Sequence, residues 1–570
     1  MERLTKPIYD TSFSGDLVKL GKRITDNWLL GLRESNPALI DMFVYDDDMC
    51  VRDKLSWSGE FPGKYITSCV YIYRLTHDKR LLSYAVKVAD ELVSCQKENG
   101  YLGVWGKDYQ LTGYGRFVNG SEIVTRLDTW DSWSHYHIMY GLILLYDETK
   151  DEKYLSSVIK IADLFCEKFY TEDGLRLGDT GCLFANLAPI HIMAYLYNRT
   201  KNEKYLYFAL EAEKDIAHPD AIDFVNNALA GNEYYKCRNV PRWEYIHSVE
   251  AMAELYYATG DEKYKDVFVR IWNSIERLDV HNTGAFSTFE QAMGTPYIYD
   301  RAIETCCVVA HTALTVDMLG LTNDARAADQ LERALYNTTL GSFNPTGRWA
   351  TYSTPMCGYK KSHYHEIEFQ CKPGAPELNC CSVNAPRPLG TVTEWAYREG
   401  GDGVYVNFYG SSKAVCKGLE ITQKTAYPYK NTVDLRVAGC GKVYLRIPEW
   451  SKKTKVCVNG CAKCAESGYF EVDCVQTTKI RLTFDFSLRF EEGREMLEGK
   501  KCVFCGPMLL CYDKYYTDED ASVVFGKDPK VKAVKRDLGA LYEITTDRGN
   551  ITLCDMINAG VSGSYYTTWM

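Results

Sequence analysis

The sequence predicts a large helical-barrel domain followed by all-β material, and three observations predict it. A helix-turn-helix motif recurs five times in the first part of the chain. The texture then changes near residue 400 to short alternating runs, and 570 residues exceed what one ordinary core holds. In full, the expectation is an N-terminal (α/α)6 barrel over residues 1–400, followed by one or two β-sandwich domains over 401–570.

The repeats read IYRLTHDKRLLSYA from Ile72, LYDETKDEKYLSSV from Leu145, LYNRTKNEKYLYFA from Leu196 and LYYATGDEKYKDVF from Leu255, with a weaker copy, MLGLTNDARAADQL, from Met318. Each is the end of one helix, a short polar turn and the start of the next. After the second turn Leu155, Val158, Ala162 and Phe165 recur at helical spacing, so one face is buried. The threonines of the turns, Thr76, Thr149, Thr200, Thr259 and Thr322, stand 51 to 73 residues apart. That interval holds one antiparallel helical hairpin and its connecting loop. A linear solenoid would show the same repeat, but the long irregular loops at 99–130 and 340–380 suit a barrel spanning roughly 15–395, with a pocket at one end. The turns should then share one rim.

Past the boundary at REGGDG (398–403), GVYVNFYG, VDLRVAG, KVYLRIPEW, KVCVNG, IRLTFDF and YEITTD alternate apolar with polar residues between Gly, Asn and Pro turns, the pattern of half-buried strands.

Composition bounds the function. A net charge of −10 argues against a nucleic-acid surface. The longest near-continuous apolar run, Ile138 to Tyr146, is short of a membrane span, and MERLTKPIYDTSF carries no secretory pattern, so the expected setting is cytoplasmic and away from membranes. Forty-three tyrosines beside 11 tryptophans suit a polar ligand with apolar faces, such as a sugar, though such rings also fill cores. Twenty-two cysteines in a reducing compartment are mostly small buried hydrophobes, with some free to bind metal or do chemistry.

Two stretches stand apart from that background: AIETCCVVAH around Cys306–Cys307 and ELNCCSVNAPR around Cys380–Cys381. Adjacent cysteines close only a strained disulfide, whereas two thiolates on one soft cation are an ordinary use. Glu304, Cys306, Cys380 and Cys381 together offer one oxygen and three sulfurs, a tetrahedral set for Zn2+. By spacing alone, core cysteines and a metal site are both open readings.

ETC followed by CCxxNxxR, after helical hairpins and before LRIPEW (445–450) and VNG (458–460), resembles glycoside hydrolase family 127, the β-L-arabinofuranosidases and their relatives. The resemblance runs from WSGEFPGKY at Trp57 to FCGPMLLCYD at Phe504. It implies a zinc site of Glu304, Cys306, Cys380 and Cys381, with Cys380 also the nucleophile. It implies Glu290, in GAFSTFEQAMG, as acid/base, although the loop from there to ETC is slightly shorter than the family's. It implies that His137 and His247 line the sugar pocket, and both precede a repeat turn by a similar distance. At a further position where the family can carry a histidine this chain has Asn186, which leaves the exact sugar open. Tyr352 matches a position near the nucleophile.

The chemistry is consistent in itself. A cysteine attacks as thiolate, a neighbouring cation keeps it ionised, and two displacements at the anomeric carbon give net retention. The expected partner is therefore an oligosaccharide or glycoside, and a homodimer stays open. The rival readings are the same chemistry on another plant-polysaccharide sugar, a non-catalytic carbohydrate-binding relative with a structural zinc, and a plain helical scaffold. CVNGCAKC (457–464) has the CxxxCxxC spacing of an iron–sulfur motif, but an Asn-Gly turn between strands is the wrong context. The CxxC within KCVFC (501–505) reads as strand core.

Overall fold

The computed structural model describes residues 2–44, 54–119, 122–298, 302–362, 374–517, 525, 529–547 and 549–570. Among these, six inner helical segments close a ring. Phe61–Thr76, Asp131–Thr149, Pro189–Thr200, Ile246–Thr259 and Thr305–Thr322 pack in chain order, and the broken segment Cys380–Asn384 with Pro386–Gly390 packs back on the first. Outer helices Lys79–Ser94, Glu152–Lys168, Glu203–Glu213, Glu262–Leu278 and Ala325–Arg333 return along the outside, and Asp16–Ile24 packs on the first and last inner segments. The inner helix Asp131–Thr149 is buried on every side over most of its length. The outer helix Glu262–Leu278 buries one stripe of Tyr264, Val267, Phe268, Ile271, Trp272 and Ile275. Thr305–Thr322 is long and apolar enough to cross a membrane, but it is an inner barrel helix whose apolarity is that of an all-round buried element.

The repeated turn has a local cause. Thr259 donates its hydroxyl to Leu255 O at 2.7 Å and accepts Asp261 N–H at 3.1 Å. Gly260 takes the left-handed conformation that ends the helix, and Asp261 caps the next by accepting Lys263 N–H at 2.9 Å. His77, Lys150, Lys201 and Asn323 occupy the same left-handed position in the other turns, with Asp78, Asp151, Asn202 and Asp324 as caps. Each turn joins the end of an inner helix to the start of an outer one, so all five share one rim. The opposite rim holds the inner-helix N-termini and the long loops, and the site lies there.

Close approach of two inner helices needs a glycine. A Cβ at Gly63 would lie 2.3 Å from the carbonyl carbon of His137, inside contact distance of backbone that cannot move independently. Gly63→Ala should therefore cost about 1–3 kcal/mol in urea unfolding and displace His137, lowering activity as well.

Beyond Trp395 the chain is β. A sheet built on Tyr397–Gly400, Gly403–Val406, Gly441–Ile447 and Gly468–Cys474 shares the apolar core with a sheet built on Ser412–Cys416, Leu419–Thr425, Thr432–Ala438, Thr454–Val458 and Thr477–Thr483. In Thr432–Ala438, Val433, Leu435 and Val437 point inward while Asp434 and Arg436 face solvent. The edges of these sheets are completed by Lys6–Pro7 and Thr11–Phe13, so the first residues of the chain belong to the β layers rather than to the barrel. A further sheet runs from Arg489–Glu492 to Gly549–Asp555. The tail strand Tyr566–Thr567 bridges it to Cys357–Gly358 in the loop beyond Tyr352.

The CxxxCxxC stretch is a hairpin turning at Asn459 and Gly460, both with positive φ. Cys457 lies opposite Ala462 and Val458 opposite Cys461, so Cys457 and Cys464 share one face and Cys461 points to the other. Such thiols cannot close on one metal. Cys502 and Cys505 are buried in the strand Lys501–Cys505.

Candidate active site

Four donors converge at the loop-bearing rim. Ala302–Glu304 pairs antiparallel with Ser353–Pro355, Glu304 opposite Ser353, and Thr305 N–H donates to Tyr352 O at 2.8 Å. The helix Thr305–Thr322 begins at once, which puts Cys306 in its first turn. Cys380 opens the short segment Cys380–Asn384, capped by Asn379, whose side chain accepts Ser382 N–H at 2.9 Å. The donor atoms of Glu304, Cys306, Cys380 and Cys381 all lie within 4.8 Å of one another.

Their spacing fits a tetrahedral cation. Two sulfurs each about 2.3 Å from one zinc stand about 3.8 Å apart, and an oxygen–sulfur pair about 3.5 Å. Here Cys380 Sγ–Cys381 Sγ is 3.8 Å, Cys381 Sγ–Cys306 Sγ 3.5 Å, and Glu304 Oε1 lies 3.4 Å from Cys381 Sγ and 3.7 Å from Cys380 Sγ. Asn384 Nδ2 donates to Cys306 Sγ at 3.5 Å. Cys307 is outside the set: it meets the other carboxylate oxygen of Glu304 at 3.8 Å and the Ser287 hydroxyl at 3.5 Å, and burial pushes its thiol up.

Burial and mutual contact shift the acids of the cluster in different directions. Burial, then the neighbouring Glu290 and Cys380, drives the Glu304 carboxyl well above the usual range. Burial opposes ionisation of Cys306 too, but hydrogen bonds from Cys380 and Cys381 and the charge of Lys64 hold it at about 6. Donating to Cys306 pushes Cys380 up to about 12.

Two ion-paired groups flank it, and of their members sequence reasoning singled out only Glu290. Lys64 Nζ meets Glu60 Oε2 at 2.8 Å beneath the rings of Trp133 and Trp243, whose centroids are 5.4 and 5.6 Å away, and Trp133 Nε1 also donates to Glu60. Burial raises Glu60 to about 7. Arg242 Nη2 bridges Glu244 Oε1 at 2.7 Å and Glu290 Oε2 at 2.6 Å, and burial pushes Glu244 to about 7. Trp243 N–H donates to Glu290 O at 3.0 Å, and Asp279 accepts Met293 N–H at 2.6 Å and Gly294 N–H at 2.8 Å, so the loop bearing Glu290 is held at both ends.

The other expected residues lie at the same rim. The Tyr352 hydroxyl stands 3.6 Å from Cys380 Sγ. His137 packs edge-on against Trp133 at 4.4 Å, and its buried Nε2 has no hydrogen-bond partner among the described residues. His247 uses Nδ1 for Glu250 Oε2 at 2.5 Å and the Tyr136 hydroxyl at 3.0 Å, leaving Nε2 for the pocket. Asn186 spends its amide nitrogen on Thr129 O at 2.9 Å and Gly181 O at 3.0 Å, clasping a loop; its Oδ1 is buried without a partner among the described residues. The Asn and Arg of CCxxNxxR serve separately: Asn384 touches the cluster, and Arg387 lies 5.0 Å from the Tyr140 ring deeper in the barrel.

Comparison with known proteins decides the family. The model of the β-L-arabinofuranosidase GH127 catalytic domain matches residues 34–392, and that of the GH127 middle domain matches residues 403–488. The chain belongs to glycoside hydrolase family 127. It is 23% identical over 506 residues to the non-reducing end β-L-arabinofuranosidase of Bifidobacterium longum, covering 79% of this chain and 74% of that one. Among solved structures it superposes on a GH127 β-arabinofuranosidase with a TM-score of 0.81 at 18% identity, over 100% of this chain and 98% of that one. A GH127 β-L-arabinofuranosidase from Geobacillus stearothermophilus T6 gives 0.77 at 18% identity, over 98% and 99%. These likenesses establish the barrel-plus-β fold. As a GH127 member the protein is a glycoside hydrolase with a carbohydrate substrate, and its Cys/Glu cluster is a candidate metal site.

Proposed function

We propose that this GH127 protein is a zinc-dependent, retaining β-L-arabinofuranosidase with Cys380 as nucleophile and Glu290 as acid/base. The observation that carries the proposal is the tetrahedral spacing of Glu304 with Cys306, Cys380 and Cys381, a donor set whose three sulfurs favour zinc. Bound there, zinc supplies the positive charge that keeps the thiols ionised at neutral pH. Cys380 is the donor at 8% exposure, against 1% for Cys381 and 0% for Cys306, so it is the sulfur a substrate can reach.

In the first displacement Cys380 Sγ forms a bond to the anomeric carbon while the bond to the leaving oxygen breaks and Glu290 gives that oxygen its proton. In the second, Glu290 takes a proton from water, whose oxygen displaces the sulfur, and the anomeric configuration is retained. His137 Nε2 and His247 Nε2 hydrogen-bond the sugar hydroxyls against the faces of Trp133 and Trp243. A panel of nitrophenyl furanosides and pyranosides, with the first-formed anomer read by NMR, tests this. Turnover of the β-L-arabinofuranoside with retention is expected; exclusive turnover of a pyranoside, or inversion, contradicts it. Tyr352→Phe should keep its metal and lose about tenfold in kcat, because one polar contact to the sulfur goes while the donor set stays.

A further inference from the structure

The ring of His247 is packed against Trp133, Trp243 and His137, with centroids 5.3, 6.1 and 5.6 Å away, and Trp243 N–H is bonded to the carbonyl of Glu290. Packing fixes where this ring lies beside the acid/base loop. It does not fix which ring nitrogen carries the proton, and that decides what the ring can recognise.

The partners of Nδ1 decide it. Glu250 follows three residues later on the helix Ile246–Thr259, on the same face, and its Oε2 lies 2.5 Å from His247 Nδ1. Both side chains are buried. Burial opposes the charge on Glu250, but His247, His191 and Arg387 draw its carboxyl below the usual range, while burial holds His247 below its own. A carboxylate only accepts and a neutral imidazole has one N–H, so that N–H is on Nδ1. The Tyr136 hydroxyl lies 3.0 Å from His247 Nδ1 and 3.1 Å from His191 Nδ1. It can face a protonated Nδ1 only as acceptor, so its own proton goes to His191. The chain runs one way, and Glu250 is its charged end.

None of the roles assigned above uses this carboxylate. Glu250, His191 and Arg387 line a polar cavity of about 100 Å³ on the turn side of the sugar pocket, bordered also by Arg74 and Asp147 from the last turns of their helices. Arg387 belongs to CCxxNxxR, so the stretch that carries Cys380 also supplies a cation to the surroundings of Glu250. A carboxylate kept only to balance Arg387 would leave the tautomer of His247 indifferent to it.

We propose that Glu250 is a positioning residue that holds the His247 proton on Nδ1, so that Nε2 meets the substrate as an acceptor and selects a sugar hydroxyl able to donate. The inference rests on the reading of His247 as a sugar contact. A substrate carboxylate or ether oxygen at that place would meet only a lone pair, and is rejected.

Two measurements test it. In 15N-histidine-labelled wild-type protein, with the His247 signals identified by their loss in His247→Ala, long-range 1H–15N spectra should show Nδ1 protonated and Nε2 bare. Glu250→Gln keeps the shape but brings an amide N–H that can donate to Nδ1, so the Nε2–H form should appear. On the nitrophenyl glycoside that the wild type turns over, Glu250→Gln should lose about tenfold in kcat/KM. Placed in His247→Ala, it should change kcat/KM by less than about twofold, because its effect passes through the imidazole. An Nε2–H tautomer in the wild type, an unchanged tautomer in Glu250→Gln, or the full tenfold loss in the His247→Ala background overturns the positioning role. Wild-type kcat/KM in His247→Ala overturns the sugar contact instead, and the spectra still decide what Glu250 does to the ring.

Discussion

Cys306→Ser is expected to remove metal and activity together. Cys306 lies 3.5 Å from Cys381 Sγ and receives the Asn384 amide, and it is the one thiol of the cluster held down, at about 6. A serine hydroxyl in its place stays protonated and is a harder ligand than a soft cation selects. Metal analysis should fall from about one zinc per chain to near zero, with kcat/KM down at least about a hundredfold. Cys307→Ser is the matched control. The residue is adjacent in sequence but faces Ser287 and the far oxygen of Glu304, so both zinc and most activity should be retained. A zinc-free Cys306→Ser protein with wild-type turnover would contradict the metal's role.

Glu290→Gln should separate the two displacements. Its carboxylate is fixed by Arg242 at 2.6 Å, and glutamine keeps the shape while losing the transferable proton. Glycosides with poor leaving groups should lose about 10²–10⁴ in kcat/KM, the usual worth of a positioned acid. Nitrophenyl glycosides leave without much protonation, so the first step survives and the second, lacking its base, becomes slow. Stopped-flow traces should show a burst of nitrophenol of about one equivalent followed by a slow steady state. Uniform loss on both substrate classes, without a burst, would assign Glu290 a structural role.

The barrel was legible because its grammar is local. A threonine bonding back to its own helix, one left-handed residue and an Asp or Asn cap leave the same trace five times, whatever the helices pack against. The edge strands Lys6–Pro7 and Thr11–Phe13 were not legible: two or three residues show no period, and their partners lie some 400 residues away. In the site, the ligand set stood out because adjacent cysteines are rare and a carboxylate two residues from a thiol is a recognisable donor pair. Lys64, Arg242 and Glu244 stayed hidden, although WSGEFPGKY contains the first and RWEYIH the other two. A lone charged residue near a helix start is ordinarily solvated, and only the closure of the ring buries Lys64 and Glu244 and brings Arg242 onto Glu244 and Glu290. Asn186 was only partly legible. The resemblance implied a sugar contact there, and the structure adds that its amide nitrogen is committed to loop carbonyls that no sequence pattern pairs with it.

In the proposed reaction the sulfur of Cys380 becomes covalently bound to the sugar. Intact-protein mass spectrometry of Glu290→Gln, quenched within the burst on nitrophenyl β-L-arabinofuranoside, tests it most directly, with peptide mapping to locate the adduct. One added pentosyl unit is expected, on the peptide containing Cys380 and Cys381 and absent from Cys380→Ser. A pentosyl adduct on a carboxylate of any other peptide would contradict it.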